Sequence, residues 1–215
     1  MKKHIYLVRH GETTYNKRMV HQFFAVPLSE HGYKQADKTA EAVKVLQPDA
    51  LFTSDITRAR QTAEHIGKAI GKEPVFEPLF RELERPETVV GKHFFDPRSI
   101  FVFLQMYIHA NDLHWHMGNE ENFADFRERT HRAVEFLENT NAERIVVVSH
   151  RYFIKGMLTT LRSRFTGSMW KFVRESVLHA PLSNGGITEL IYDSENKLSP
   201  WTIVRINDTR HLAEL

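Results

Sequence analysis

Two short, uninterrupted apolar runs constrain this chain more than anything else in it: Ile5-Tyr6-Leu7-Val8 and Val146-Val147-Val148. A strand with one wet face alternates apolar and polar residues. A run that is apolar at every position must be covered on both faces, which is the mark of a parallel sheet flanked by helices. Each run ends in a histidine-bearing turn, Arg9-His10-Gly11 after the first and Ser149-His150 after the second. In open α/β sheets, ligands bind beyond the carboxyl ends of strands, where helix N-termini point their free N–H groups. An imidazole at each of two strand ends, with Arg9 beside the first, suits an anion and a nucleophile that attacks it.

The remaining segments extend the pattern. Ser29 caps a helix in which Tyr33, Ala36, Ala40 and Val43 fall at helical spacing, and Pro48 stops it. Ala50-Leu51-Phe52-Thr53-Ser54 reads as a second strand, and Thr57 to Ala69 as a helix ended by Gly71. Asp96-Pro97 starts a helix whose Phe101, Val102, Phe103, Leu104, Met106, Tyr107 and Ile108 are apolar nearly all round. Such a helix should be covered on more than one side, by the core, by closing over the site as a lid, or by a dimer partner. An amphipathic helix follows over Phe123 to Leu137, then a strand at 144–149 and a helix at roughly 152–162. Ile187–Tyr192 and Trp201–Ile206, joined by a turn from Asp193 to Pro200, read as a hairpin at the sheet edge. The expected fold class is α/β: a three-layer α/β/α sandwich with a mostly parallel mixed sheet and a C-terminal edge hairpin. It should form one domain over residues 1–215, with a helical insertion at about 85–121 near the site.

Charge and cysteine usage narrow the chemistry. A net charge of +2 with scattered basic residues argues against a nucleic-acid partner. With no cysteine in the chain, disulfides, thiolate metal sites and cysteine-dependent phosphatase chemistry are all excluded. Met1-Lys2-Lys3 begins like a signal peptide, but Arg9, His10 and Glu12 break the apolar run, and no stretch approaches the ~20 apolar residues of a membrane span. The expectation is a soluble cytoplasmic protein with no membrane partner. His114 and His116, two residues apart, do not share a helix face and find no third ligand, so no metal and no other cofactor is expected. Lys17, Arg18 and Lys155 read as solvated, and the aromatic surplus around Phe94–Tyr107 leaves room for a homodimer.

A phosphoryl group in transfer carries its charge on three equatorial oxygens. Without a metal, that charge must be neutralised by Arg, protonated His and backbone N–H groups. Arg9-His10-Gly11 supplies a charged fork, a nucleophile and a glycine where the backbone can approach a ligand closely. Arg58 and Arg60 open the helix after the second strand; two residues apart, they cannot both face one pocket.

These residues carry a resemblance. Val8-Arg9-His10-Gly11-Glu12-Thr13, with Asn16 beyond it, resembles the signature of the histidine phosphatase superfamily, the phosphoglycerate-mutase-like proteins. Four further segments agree in order: Pro27 to Gly32 with Gln35-Ala36, Ser54 through Ala63, Arg81-Glu82, and Val147 to His150. Asn184-Gly185-Gly186-Ile187 is also similar to the family. The resemblance implies that His10 attacks phosphorus to form a phosphohistidine that water hydrolyses. It places Arg9, Arg58 and His150 around the phosphate oxygens, adds a hydrogen bond from Asn16, and selects Arg58 over Arg60. Glu82 would protonate the leaving oxygen and later activate water. Two positions depart from the family pattern. Leu83-Glu84-Arg85-Pro86 replaces a Gly-aromatic stretch, which makes Glu84 a rival acid. Arg151 follows His150 where Gly is common, either as a solvated residue at a helix start or as a grip on a second anionic group of the substrate. The expected function is a metal-independent phosphomonoesterase for small phosphate esters. A cofactor-dependent phosphoglycerate mutase and a non-catalytic phosphate sensor are the alternatives.

Overall fold

In the computed structural model, residues 1–118, 120–163, 169–178 and 182–215 are described, so Asn119 of the insertion lies outside them. The elements run β1 (Lys2–Arg9), α1 (Thr14–Lys17), α2 (Glu30–Val45), β2 (Ala50–Thr53), α3 (Thr57–Ile70) and β3 (Val75–Phe76). There follow α4 (Pro97–Ile108), α5 (Phe123–Asn139), β4 (Arg144–Ser149), α6 (Arg151–Ser163), α7 (Met169–Leu178), β5 (Ile187–Asp193) and β6 (Trp201–Asp208). The strands form one six-stranded sheet in the order β3-β2-β4-β1-β5-β6. The first four are parallel to one another, and β5 and β6 are antiparallel at the edge. This is the mixed α/β architecture read from the strand patterns.

The period-two geometry of a strand sends alternate residues of each apolar run into opposite layers. Ile5 and Leu7 of β1, with Ile145 and Val147 of β4, face the layer of α4, α5, α6 and α7, where Phe80, Phe126, Phe153 and Met157 fill the core. Tyr6, Val8, Val146 and Val148 face α2 and α3, meeting Ala40, Val43, Ala59, Ala63 and Ile66. The small alanines let α2 and α3 lie close to the sheet. Fully burying each Ile, Val or Leu contributes roughly 1.5–3 kcal/mol.

The caps fall where the sequence places them. Ser29 accepts from the Gly32 N–H, Asp96 accepts from the Arg98 N–H with Pro97 at the first helical position, and Gly71 ends α3 with φ +69°. Helix α7 has no counterpart in the sequence reading; it buries Phe172 and Val173, the former beside Phe126. The two-residue β3 is exposed and equally silent in sequence.

One expectation needs correction and two are refined. Helix α4 is buried on one face only, through Ser99, Val102 and Met106, while Ile100, Phe101, Leu104 and Ile108 are exposed. Its inward stripe joins the core cluster through Val102 and Met106, and Ser99, Ile100, Val102, Phe103 and Leu104 border a cavity. Lys155, expected in solvent, is 1 % exposed, because α6 is buried over the whole of residues 153–160. Burial, then Arg151, lowers its pKa to about 8 against the opposing pull of Glu82. Gly11 makes a close approach to protein: a Cβ there would lie 2.4 Å from the Gly32 carbonyl oxygen. A Cβ on Gly32 would meet the Glu12 oxygen at 2.0 Å. The two glycines thus let the start of α2 dock backbone-to-backbone on the turn after β1.

Candidate active site

Register brings the two histidines together. β1 and β4 run parallel with Arg9 opposite Ser149, so the residues that follow leave the sheet side by side. The His10 N–H donates to the Ser149 carbonyl (3.0 Å), and the rings of His10 and His150 lie 5.1 Å apart between centroids. Next to β4, β2 places Thr53 opposite Val148, which sets Ser54 against His150. On the other side of β1, the Arg9 N–H donates to the Gly186 carbonyl (3.1 Å), and Asn184 Nδ2 donates to the His10 carbonyl (2.9 Å).

His10 is oriented from both nitrogens. Its Nδ1 lies 2.7 Å from its neighbour's carbonyl, Gly11 O, an acceptor that requires the proton on Nδ1. Nε2 therefore carries the lone pair, which accepts from Arg58 Nε at 3.2 Å. Burial, then Arg58 and Arg9, drives the His10 pKa well below 6.5, so the ring is neutral at neutral pH. His150 is likewise held well below 6.5 by burial, then by Arg58, His10 and Arg9. Cationic charge in this cup thus comes from guanidinium, not from a protonated histidine. His150 Nε2 meets Ser54 Oγ at 2.9 Å, while its Nδ1 is buried without a partner.

Two buried arginines supply the charge. Arg58, second residue of α3, is 4 % exposed; its Nη1 donates to the Phe23 carbonyl (3.2 Å). Arg9 donates through Nη1 to the Leu182 carbonyl, and its Nε is buried with no partner. Burial lowers both pKa values to about 10, and both groups stay charged. Glu82 balances them: its carboxylate accepts from the N–H groups of Phe153 (3.0 Å) and Tyr152 (3.2 Å), at the start of α6, and of Leu83 (3.0 Å). Arg60, on another face of α3, is exposed and lies over the Phe76 ring at 4.7 Å.

Arg9, His10, Asn16, Arg58, Glu82, Arg151 and Asn184 all border one cavity of about 1220 Å³. His150 does not; it lies directly behind His10 and is 0 % exposed. Asn16 Oδ1 is engaged by the Thr13 N–H (3.1 Å) and by Asn184 Nδ2 (3.2 Å). Arg151 Nε is buried without a partner. Glu84 stands exposed on the cavity wall. Sequence reasoning assigned no part to Ser54 or Asn184, though both lie in segments it singled out, nor to Thr62, whose Oγ1 accepts from the Gly11 N–H (3.1 Å). Their signal was position beside a strand end, which becomes specific only once the strands are paired. His116, with Asp125 at 2.8 Å, lies apart in the insertion, and among the described residues no three His, Cys, Asp or Glu side chains are grouped to hold a metal ion. Among the same residues, no helix is long and apolar enough to cross a membrane.

Comparison with known proteins agrees with this architecture. The model of the histidine phosphatase superfamily (branch 1) matches residues 5–209. The chain is 25 % identical over 216 residues, 99 % of both chains, to a putative phosphoserine phosphatase 2 of Hydrogenobacter thermophilus. A stretch of 81 residues is 40 % identical to a probable phosphoglycerate mutase of Cronobacter sakazakii, covering 37 % of this chain and 38 % of that protein. Among solved structures, a phosphoserine phosphatase of Entamoeba histolytica in complex with phosphoserine superposes with a TM-score of 0.72 at 22 % identity, over 98 % of this chain and 99 % of that one. A mycobacterial glucosyl-3-phosphoglycerate phosphatase gives 0.75 at 22 % identity, over 96 % and 100 %.

Proposed function

The chain belongs to the histidine phosphatase superfamily, branch 1, and from that premise we propose that it is a metal-independent phosphoric monoester hydrolase working through a phosphohistidine on His10. One observation carries the reading: a neutral imidazole whose Nε2 lone pair points at a buried guanidinium on the floor of a cavity. When a phosphate monoester enters, Arg58 Nε turns from His10 to a phosphate oxygen, which frees Nε2 to attack phosphorus. Arg9 Nε, without a partner at the cavity, is a donor for another oxygen, and His150 Nδ1, outside the cavity lining while Arg58 is paired with His10, becomes one when that pair opens. Arg9 and Arg58 neutralise the equatorial charge, and removing one such contact typically costs ~10²–10³-fold in rate.

The N–P bond forms as the ester P–O bond breaks, and the departing oxygen takes its proton from Glu82. The Leu83 and Phe153 N–H groups hold Oε1 and the Tyr152 N–H holds Oε2, which leaves a lone pair of Oε2 to carry the proton. Water then passes a proton back to Glu82 and attacks phosphorus, releasing orthophosphate and neutral His10. Asn16 and Asn184 fix the turn that carries His10, and Arg151 takes a second anionic group where the substrate has one.

The curated relative named as a putative phosphoserine phosphatase aligns over 99 % of the chain, whereas those named as probable phosphoglycerate mutases align over 37 % of it. A hydrolase is therefore preferred to a mutase. Hydrolysis of p-nitrophenyl phosphate in EDTA, with trapping of an acid-labile phosphoenzyme, tests this. The His10→Ala variant should fold, form no phosphoenzyme and lose turnover. Substantial residual activity would remove His10 as the nucleophile, and isomerisation of 3-phosphoglycerate outpacing hydrolysis would make the protein a mutase.

A further inference from the structure

The cavity changes character with distance from His10. Its floor is cationic, but much of its wall comes from two stretches the motifs do not cover, residues 19–24 and the insertion, beside Ile56, Arg81, Leu83, Glu84 and Tyr152. Met19, Phe23, Phe24, Phe95, Ile100 and Leu104 all border it and are all 43 % or more exposed. Large apolar side chains scattered singly over a surface are ordinary; six converging on one cavity mark a site for an apolar ligand. The volume agrees. At about 1220 Å³ the cavity exceeds the roughly 300–1,000 Å³ that usually holds a drug-sized ligand. Phosphoserine or phosphoglycerate would leave most of it unfilled.

The walls are also built to stay in place. Val20 and His93 form an antiparallel bridge, the His21 N–H donates to the Lys92 carbonyl (2.9 Å), and the Phe94 N–H donates to the Met19 carbonyl (2.9 Å). Gly91, at φ +81°, lies under Phe23, where a Cβ would come within 3.3 Å of the ring. The Phe23 carbonyl in turn holds Arg58, which ties the apolar wall to the phosphate floor. Two of the cations on the wall are already engaged, while Arg151 keeps a buried Nε without a partner. Arg81 is bound to Asp55 through two nitrogens and lies 5.3 Å from the Phe24 ring centre, and Arg85 lies over Tyr152 at 4.8 Å.

We propose that the alcohol portion of the substrate is large and apolar: the protein hydrolyses phosphate monoesters of bulky hydrophobic alcohols in preference to those of small polar ones. The inference rests on the phosphatase reading and names its substrate class. Three esters of primary alcohols keep the leaving oxygen alike: 2-(1-naphthyl)ethyl phosphate, ethyl phosphate and O-phospho-L-serine. In EDTA, kcat/KM for the naphthylethyl ester should exceed that for each of the others by about ten-fold or more, as expected for burying an aromatic ring. Phe95→Ala and Leu104→Ser should each reduce the naphthylethyl-to-ethyl ratio several-fold. A ratio measured on one sample does not depend on how much of the variant is folded. Phosphoserine matching or exceeding the naphthylethyl ester, or ratios unmoved in both variants, would overturn the inference while leaving the phosphatase reading intact. Failure to hydrolyse any of the three would overturn that reading, and the inference with it.

Discussion

Replacing Arg58 by Met tests the charge arrangement of the site most directly. Arg58 makes two side-chain hydrogen bonds, to His10 Nε2 and to the Phe23 carbonyl, each 3.2 Å long, and is 4 % exposed. Met fills similar volume without the charge. For stability the terms oppose each other: the Phe23 carbonyl loses a partner, at about 1–3 kcal/mol, but a buried cation beside a second one disappears. Met escapes the desolvation cost of a buried charge, and Arg9 remains to face Glu82, so the thermal midpoint should move by no more than a few degrees. For catalysis nothing offsets the loss. One cationic contact to the transferring group is gone, and kcat for p-nitrophenyl phosphate should fall by ~10²–10³-fold. The pH profile should move as well. Arg58 is, after burial, the largest influence depressing the His10 pKa, so its removal lets that pKa rise. Protonated His10 cannot attack, and the acid limb of kcat/KM should therefore shift to higher pH. The ionisation of the substrate is common to both enzymes and cancels in their ratio. A fall of less than about five-fold, or an acid limb displaced to lower pH, would refute the electrostatic account.

Other variants probe separate parts of the molecule. Glu82→Gln should reduce turnover of alkyl phosphates by ~10²-fold or more, whereas Glu84→Gln, on the exposed wall, should change it by less than about five-fold; the reverse order in steady-state kinetics would reassign the acid. Lys3 is buried, and its ammonium donates to the carbonyls of Leu137 (3.2 Å), Glu138 and Thr140 (2.6 Å) at the end of α5. Lys3→Met leaves three carbonyls without that donor and relieves no neighbouring cation, so stability should drop by about 1.5–3 kcal/mol. By calorimetry that is a Tm lower by on the order of 5 °C, and an unchanged Tm would show that water replaces the ammonium at no cost. His10 and His150 are both held well below 6.5 in the folded state, while the unfolded chain protonates near 6.5. Their stability contribution is therefore complete above that pH and is lost as pH falls toward the depressed folded values. His21, His131 and His211 shift in the same direction. The urea midpoint should decrease between about pH 7.5 and about pH 5; a flat or rising midpoint would contradict the burial of these rings.

What the sequence determined by itself is local. Continuous apolar runs specified β1 and β4 and required helices on both sheet faces. Ser29, Asp96 and Gly71 marked helix ends because a cap acts within a few residues of its own position. The histidine-bearing turns were legible for the same reason, as short patterns directly after strands. Everything that joins distant segments waited for tertiary structure. Pairing of Arg9 with Ser149 sets His10 against His150, and no local signal encodes that register. The fit of Gly11 on Gly32, the burial of Lys155, and the link from Asn184 to His10 likewise depend on which elements become neighbours. Helix α4 shows the limit most sharply: its composition asks for cover on more than one side, while within the single chain only the Ser99, Val102 and Met106 stripe is buried. A residue's hydrophobicity states what its exposure would cost, whereas what covers it is decided by the packing of the whole chain.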